Sequence, residues 1–194
     1  HPTANITRAE VSAIFYRLLS DDARGVYTTS IHSFSDAQNS WASTEIATLT
    51  NAGILKGYTD GTFRPNAAIT RAEFAAIAAR FDKLSGGDKT FTDVPTDHWA
   101  YAAITSAAEK GWVNGYADGT FRPNNAITRA EVVKITNAVL ERTCDKDYVA
   151  DNLSKLISYN DLTSAYWAYY DVLEASNAHD YKVVNDVETW VSLK

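Results

Sequence analysis

The hydrophobic and polar positions of this chain fall into two alternating blocks that recur along its length. The first begins at Thr7, where Val11, Ile14, Phe15, Leu18 and Leu19 stand at the spacing of one apolar helical face. The same face returns after Thr70 with Phe74, Ile77, Ala78 and Phe81, and after Thr128 with Val132, Ile135, Thr136 and Val139. The second block opens on Phe34-Ser-Asp36, passes Trp41-Ala42 and predicts a helix carrying Ile46 and Leu49. Phe91-Thr-Asp93, Trp99-Ala100 and Ile104 retrace it, and Tyr159-Asn-Asp161 with Trp167-Ala168 begins it a third time. Gly53 and Gly111 follow their tryptophans at the same distance and are placed to cap these helices in the left-handed conformation. His179 stands at the third such position and is expected to take the same cap, since histidine tolerates positive φ better than most residues. Residues 20–33 and 85–88 read as polar connectors. The longer connector after 140 predicts an extra short helix with Val149, Leu153, Leu156 and Ile157 on one side.

Between the blocks runs a repeated turn. Gly57-Tyr-Thr-Asp-Gly-Thr-Phe-Arg-Pro-Asn-Ala-Ala-Ile-Thr-Arg-Ala-Glu73 recurs almost unchanged as 115–131, and its second half opens the chain at 1–10. Such self-similarity decides the fold before any single motif does. Thr7, Thr70 and Thr128, each followed by Glu10, Glu73 and Glu131, form capping boxes, and Ile6, Ile69 and Ile127 precede them as hydrophobic staples. Asp60-Gly61 and Asp118-Gly119 predict tight turns with glycine at positive φ. Phe63 and Phe121 would plug the core, and Arg64-Pro65 and Arg122-Pro123 would run extended to the cap. One acid per turn is too few for a calcium loop, which needs roughly six to eight oxygens.

Arg8, Arg71 and Arg129 fit this local logic least. Each sits at the first helical position, where the positive end of the dipole disfavours a cation by roughly a few tenths of a kcal/mol. Two readings stand: an ion pair with Asp36, Asp93 or Asp161, or an anion site where guanidinium and helix amides converge on a carboxylate or phosphate. Trp41, Trp99 and Trp167 are either core residues or stacking faces for a sugar, while Trp112 and Trp190 lack the repeated position and read as filler.

Composition narrows the rest. A net charge of −6 opposes a broad nucleic-acid surface. No apolar run reaches the roughly 18 residues of a membrane span. The lone Cys144 excludes an internal disulfide or a cysteine metal cluster. With no methionine and a start at His1, in mid-repeat, the chain reads as an excised fragment, monomeric in that form. His1, His32, His98 and His179 share no context, and no nucleophile, zinc or phosphate-loop motif is present. Asp36, Asp93 and Asp161 could suggest a glycosidase pair, but equivalent copies suit a repeated binding or capping role better. No enzyme activity, metal or cofactor is expected.

At these residues the chain resembles the S-layer homology (SLH) family. The matching order is Phe-x-Asp, Trp-Ala, Gly, then Gly-Tyr-x-Asp-Gly-Thr-Phe-Arg-Pro-x-x-x-Ile-Thr-Arg-Ala-Glu; it covers 34–81 and 91–140 nearly throughout, and 1–19 and 159–176 in part. The resemblance implies an all-α array over 1–194 in a pseudo-threefold, three-pronged spindle. Its parts would be a half-repeat with connector at 1–33, repeats at 34–90 and 91–158, and a divergent half-repeat at 159–194. It further implies an extracellular module in the cell wall or S-layer. Such a module holds a surface protein non-covalently to a secondary cell-wall polysaccharide, commonly pyruvylated, without membrane insertion. Direct peptidoglycan binding or S-layer protein assembly is the alternative. The implied ligand residues are Arg8, Arg71 and Arg129, paired with Trp41, Trp99 and Trp167, and the turns Asp60-Gly61 and Asp118-Gly119.

Overall fold

All three Thr-Arg-Ala-Glu segments start helices through complete capping boxes. Thr7, Thr70 and Thr128 each accept the amide of the glutamate three residues on, whose carboxylate accepts the threonine amide in return. In a computed structural model that describes every residue except Ser85 and Asp186, the chain forms eight helices and one hairpin among the described residues. The helices are α1 (Arg8–Leu18), α2 (Asp21–Tyr27), α3 (Ser43–Asn51), α4 (Arg71–Phe81), α5 (Tyr101–Glu109), α6 (Arg129–Val139), α7 (Lys146–Asn152) and α8 (Tyr169–Ser176), and the strands are β1 (His179–Val184) and β2 (Val187–Leu193). A 3-10 turn, Leu153–Lys155, follows α7. The connector predicted at 85–88 begins with Ser85, outside the described residues.

The chain forms two compact units. The larger joins 5–110 with 114–127. Here α1 packs on α3 and α4 on α5. Phe15 meets Phe74 and Phe81 with ring centroids 5.7 and 5.3 Å apart. At its hub the residues before each cap close a triangle of backbone hydrogen bonds. Ile6 N–H donates to Ile127 O (3.3 Å), Ile127 N–H to Ile69 O (3.0 Å) and Ile69 N–H to Ile6 O (3.1 Å), and all three side chains are buried. Three equivalent segments can satisfy one another in this way only because the repeat places the same residue at the same point. Phe63 and Phe121 are fully buried, as the plug reading requires. Gly53 and Gly111 take φ of 73°, the cap expected of them.

The smaller unit joins 1–4, 111–113 and 128–194. Here α6 packs on α8, and a core of Val149, Leu156, Leu173 and Trp190 sits beneath the hairpin. The strands pair antiparallel with a register shift between Asp180 and Tyr181.

Several expectations need correction. The chain is mixed α/β: His179–Val184 and Val187–Leu193 pair as antiparallel strands, so the all-α expectation fails there. The segment is rich in valine with Tyr181 and Trp190, residues that favour a pleated surface, and Asn185 adopts φ of 51°, which suits a tight turn. His179 does not cap α8. That helix ends at Asn177 in extended conformation, and His179 begins β1 with its ring buried. Arg64 and Arg122 are left-handed (φ 59°), not extended, because Asp36 and Asp93 each bind two successive amides at the turn exit. The connector at 20–33 holds α2, capped by Ser20 and carrying Asp21 and Asp22 in its first turn, though it buries nothing. α7 is the predicted extra helix, but Leu153 and Ile157 lie outside its buried side.

Candidate functional site

Arg8 explains why a cation recurs at the helix start. It is 5% exposed, and its guanidinium donates to Phe63 O (2.8 Å) and Lys56 O (3.0 Å) and pairs with Glu73 of the next repeat (2.9 Å). Its charge also lies over the Tyr58 and Phe63 rings, 4.7 and 4.5 Å from their centroids. Arg71, 6% exposed, repeats this one copy on, donating to Phe121 O and Asn114 O beneath the Tyr116 and Phe121 rings. Arg129 is exposed, and it too is engaged. The ion-pair reading therefore describes Arg8, with a different acid from those expected. Asp36 and Asp93 hold turn amides, and Asp161 binds the amino group of His1.

The anion site at the helix amides does not form. Arg8 and Ala9 donate to Ala67 O and Pro65 O, Arg71 and Ala72 to Asn125 O and Pro123 O, and Arg129 and Ala130 to Ala4 O and Pro2 O. The third amide goes to the capping threonine. In these three helices no first-turn N–H is left for a ligand.

Asp60 and Asp118 also serve the turn. Asp60 accepts from the Thr62 amide and hydroxyl (3.0 and 2.6 Å) and pairs with Arg64 (2.7 Å), which lowers its pKa to about 2. Asp118 matches it through Thr120 and Arg122. Gly61 and Gly119 supply φ near 80°.

Within the larger unit, a groove of about 790 Å³ opens above the Arg8–Glu73 pair. Arg8, Lys56, Gly57, Tyr58 and Arg64 line one side, α4 supplies Glu73, Ala76, Ile77 and Arg80, and Trp99 and Asn124 complete it. The structure thus joins Arg8 with Trp99, where the sequence pairs Arg8 with Trp41 and Arg71 with Trp99; neither Arg71 nor Trp41 lines the groove. Glu73 forms the groove floor. Burial alone would raise its pKa, but the Tyr58 hydroxyl (2.5 Å), the Thr70 amide and Arg8 bring it below the usual value. Two features give the groove its chemistry. Trp99 is 62% exposed and stacks only loosely with the His98 ring (centroids 5.8 Å apart), which leaves indole surface for a further stacking partner. Arg80 is half-buried and donates to Ile54 O, and among the described residues no carboxylate pairs with it. Sequence reading missed Arg80. A signal exists, because Arg17 and Arg80 recur at one position in α1 and α4, but a basic last turn is ordinary helix chemistry.

The other repeat tryptophans are also exposed, Trp41 by 64% and Trp167 by 55%, while Trp112 and Trp190 are core. In the smaller unit Trp167 edges a cavity of about 600 Å³ with Lys134, Asn137, Lys146 and Tyr170, and the Lys134 ammonium lies 5.5 Å from its ring centroid. Lys134 corresponds to Ala76 and Ala138 to Arg80, so the cation facing this tryptophan comes from one turn earlier.

Comparison with known proteins identifies the family. The family model of the S-layer homology domain matches residues 33–75 and 90–133. The cellulosome-anchoring protein of Acetivibrio thermocellus is 38% identical over 189 residues, 94% of this chain. Cell surface glycoprotein 1 of the same organism is 35% identical over 99% of the chain, and S-layer protein EA1 of Bacillus anthracis is 31% identical over 77%. The chain spans 41%, 8% and 18% of those proteins respectively. With its repeated turns, capping boxes and matched segments, the chain belongs to the S-layer homology domain family.

Proposed function

We propose that the Arg8–Trp99 groove binds an anionic polysaccharide of the bacterial cell wall, a secondary cell-wall polymer bearing pyruvate ketals, and so anchors a surface protein without a covalent bond. The module itself is a cell-surface, wall-associated domain that anchors and does not catalyse. The observation that carries the ligand reading is one exposed indole and one guanidinium without an acid partner among the described residues, both facing the same groove. A sugar ring has an apolar face that stacks on indole, and a ketal-linked pyruvate keeps one free carboxylate for Arg80. About 790 Å³ lies within the range of small-ligand clefts and suits a short oligosaccharide segment. The Trp167–Lys134 cavity is a second candidate for the same chemistry.

Sedimentation with purified wall sacculi tests this. Binding should be lost when the accessory polymer is extracted with acid, and should fall for Trp99→Ala and Arg80→Ala at unchanged helix content. Full binding to extracted sacculi would assign the ligand to peptidoglycan. No binding to either preparation would leave protein–protein assembly of the surface layer.

A further inference from the structure

The C-terminal hairpin lies beyond the matched family segments and carries a buried polar cluster that wall anchoring does not use. Glu174 from α8, His179 from β1 and Glu188 from β2 each offer one ligand atom, and these atoms lie within 4.8 Å of one another. All three side chains are almost wholly buried. We propose that Glu174 Oε1, His179 Nε2 and Glu188 Oε1 form a binding site for a first-row divalent transition metal of the zinc class, which staples the hairpin to α8.

The far atom of every candidate ligand is already held. The carbonyl of Asn177 lies 2.7 Å from His179 Nδ1 and accepts a hydrogen bond from the proton there, so the neutral ring presents its Nε2 lone pair to the cluster. Trp190 Nε1–H donates to Glu174 Oε2 (3.1 Å), and the Thr143 amide donates to Glu188 Oε2 (3.1 Å). The Trp190 ring stacks on the imidazole with centroids 3.8 Å apart and locks its plane. Outer contacts of this kind orient metal ligands and set the histidine tautomer.

Charge and hydrogen bonding then ask for a cation. Two buried carboxylates face one guanidinium, Arg142, so with His179 neutral one negative charge is uncompensated. A proton on His179 Nε2 would serve Glu188 at 2.9 Å but not Glu174 Oε1 at 3.7 Å. Arg142 Nη2 lies 2.7 Å from Glu174 Oε1 without hydrogen-bond alignment, so that fully buried oxygen accepts no hydrogen bond. An ion between the three atoms would satisfy them together. One imidazole nitrogen with two carboxylate oxygens is a donor set for Zn2+ and its neighbours, not for the all-oxygen shells of Ca2+ or Mg2+. No sequence spacing announces the site, because its ligands come from three elements.

The test uses the whole chain, stripped with a chelator and titrated with Zn2+ by calorimetry and with Co2+ by visible absorption. The expected result is one ion per chain, the intense d–d band of four- or five-coordinate Co2+, and a Tm raised by about 5–10 °C at a hundredfold excess of Zn2+ over Kd. His179→Gln and Glu188→Gln should each weaken binding at least about tenfold. Should those variants misfold, a chain with His1, His32 and His98 all replaced by Gln must still bind one Co2+ with the same band. Absence of saturable binding by the stripped wild-type chain would overturn the proposal and leave a proton on His179. Co2+ binding that survives in a folded His179→Gln, or vanishes in the triple variant, would overturn it equally.

Discussion

At the residue scale, the arginine that opens each repeat helix is a strut, at least in its first two copies. Arg8 spends its donors on two carbonyls and one carboxylate, and Arg71 spends two on the equivalent carbonyls. Arg8→Ala leaves the partly buried Glu73 without its cation and should cost about 2–3 kcal/mol in urea unfolding. A loss under 1 kcal/mol would contradict the strut. Arg8→Lys should recover only part of the loss, since an ammonium cannot span three acceptors in the guanidinium's fixed plane. Glu73 gives a pH prediction. Its folded pKa is depressed, so its contribution is complete above the ordinary glutamate value of roughly 4.3 and disappears as pH falls through the lower folded value. Tm should therefore decline from about pH 4 toward 2, and Glu73→Gln should lower Tm at neutral pH while flattening that decline. A variant with the wild-type slope would assign the acid sensitivity elsewhere. The sequence marked these arginines as anomalous against the helix dipole, but not what they reach: Lys56 and Phe63 lie far along the chain, and only the fold brings their carbonyls to Arg8.

At the element scale, the turns preceding the capping boxes of Thr70 and Thr128 are built largely from the repeat's own side chains. The caps and the Asp-Gly turns depend on contacts within a few residues, so they are legible, and the repeated phenylalanine shows as an apolar position although its partners Phe34 and Phe91 lie in another block. The left-handed Arg64 was not, because Asp36, which holds it there, lies in the preceding block. Gly57 carries a demand of a different kind. A Cβ there would meet the Phe34 ring at 2.1 Å and Thr62 O at 2.8 Å, and Gly115 meets Phe91 in the same way. Gly57→Ala should destabilise by about 1–3 kcal/mol, read from chemical denaturation, and the loss should shrink when Phe34 is shortened to Leu. A neutral Gly57→Ala would contradict that packing. The hairpin at 179–193 escaped the repeat logic because the pattern erodes there; its β-branched residues were visible, but expectation followed the repeats.

At the scale of the whole molecule, the proposed ligand contacts fall mainly on residues that the packing does not need, although Arg8 and Glu73 line the groove as well. The buried arginines and the hub isoleucines hold the repeats in register, while Trp99 and Arg80 line one groove and Trp167 edges another. Trp99→Ala should therefore change stability by less than about 0.5 kcal/mol while weakening wall binding. Chain order pairs Arg8 with Trp41, whereas the groove that Arg8 lines also holds Trp99, the tryptophan of the repeat after next. The family likeness was legible throughout 34–81 and 91–140, where the turn is intact. The most direct measurement is a calorimetric titration of the chain with wall polymer before and after removal of its pyruvate ketals, repeated with Arg80→Ala. Saturable binding that is lost with the ketals, and falls at least about tenfold in a folded Arg80→Ala, is the predicted result. Equal affinity for both polymers, or an Arg80→Ala chain that binds as wild type, would contradict it.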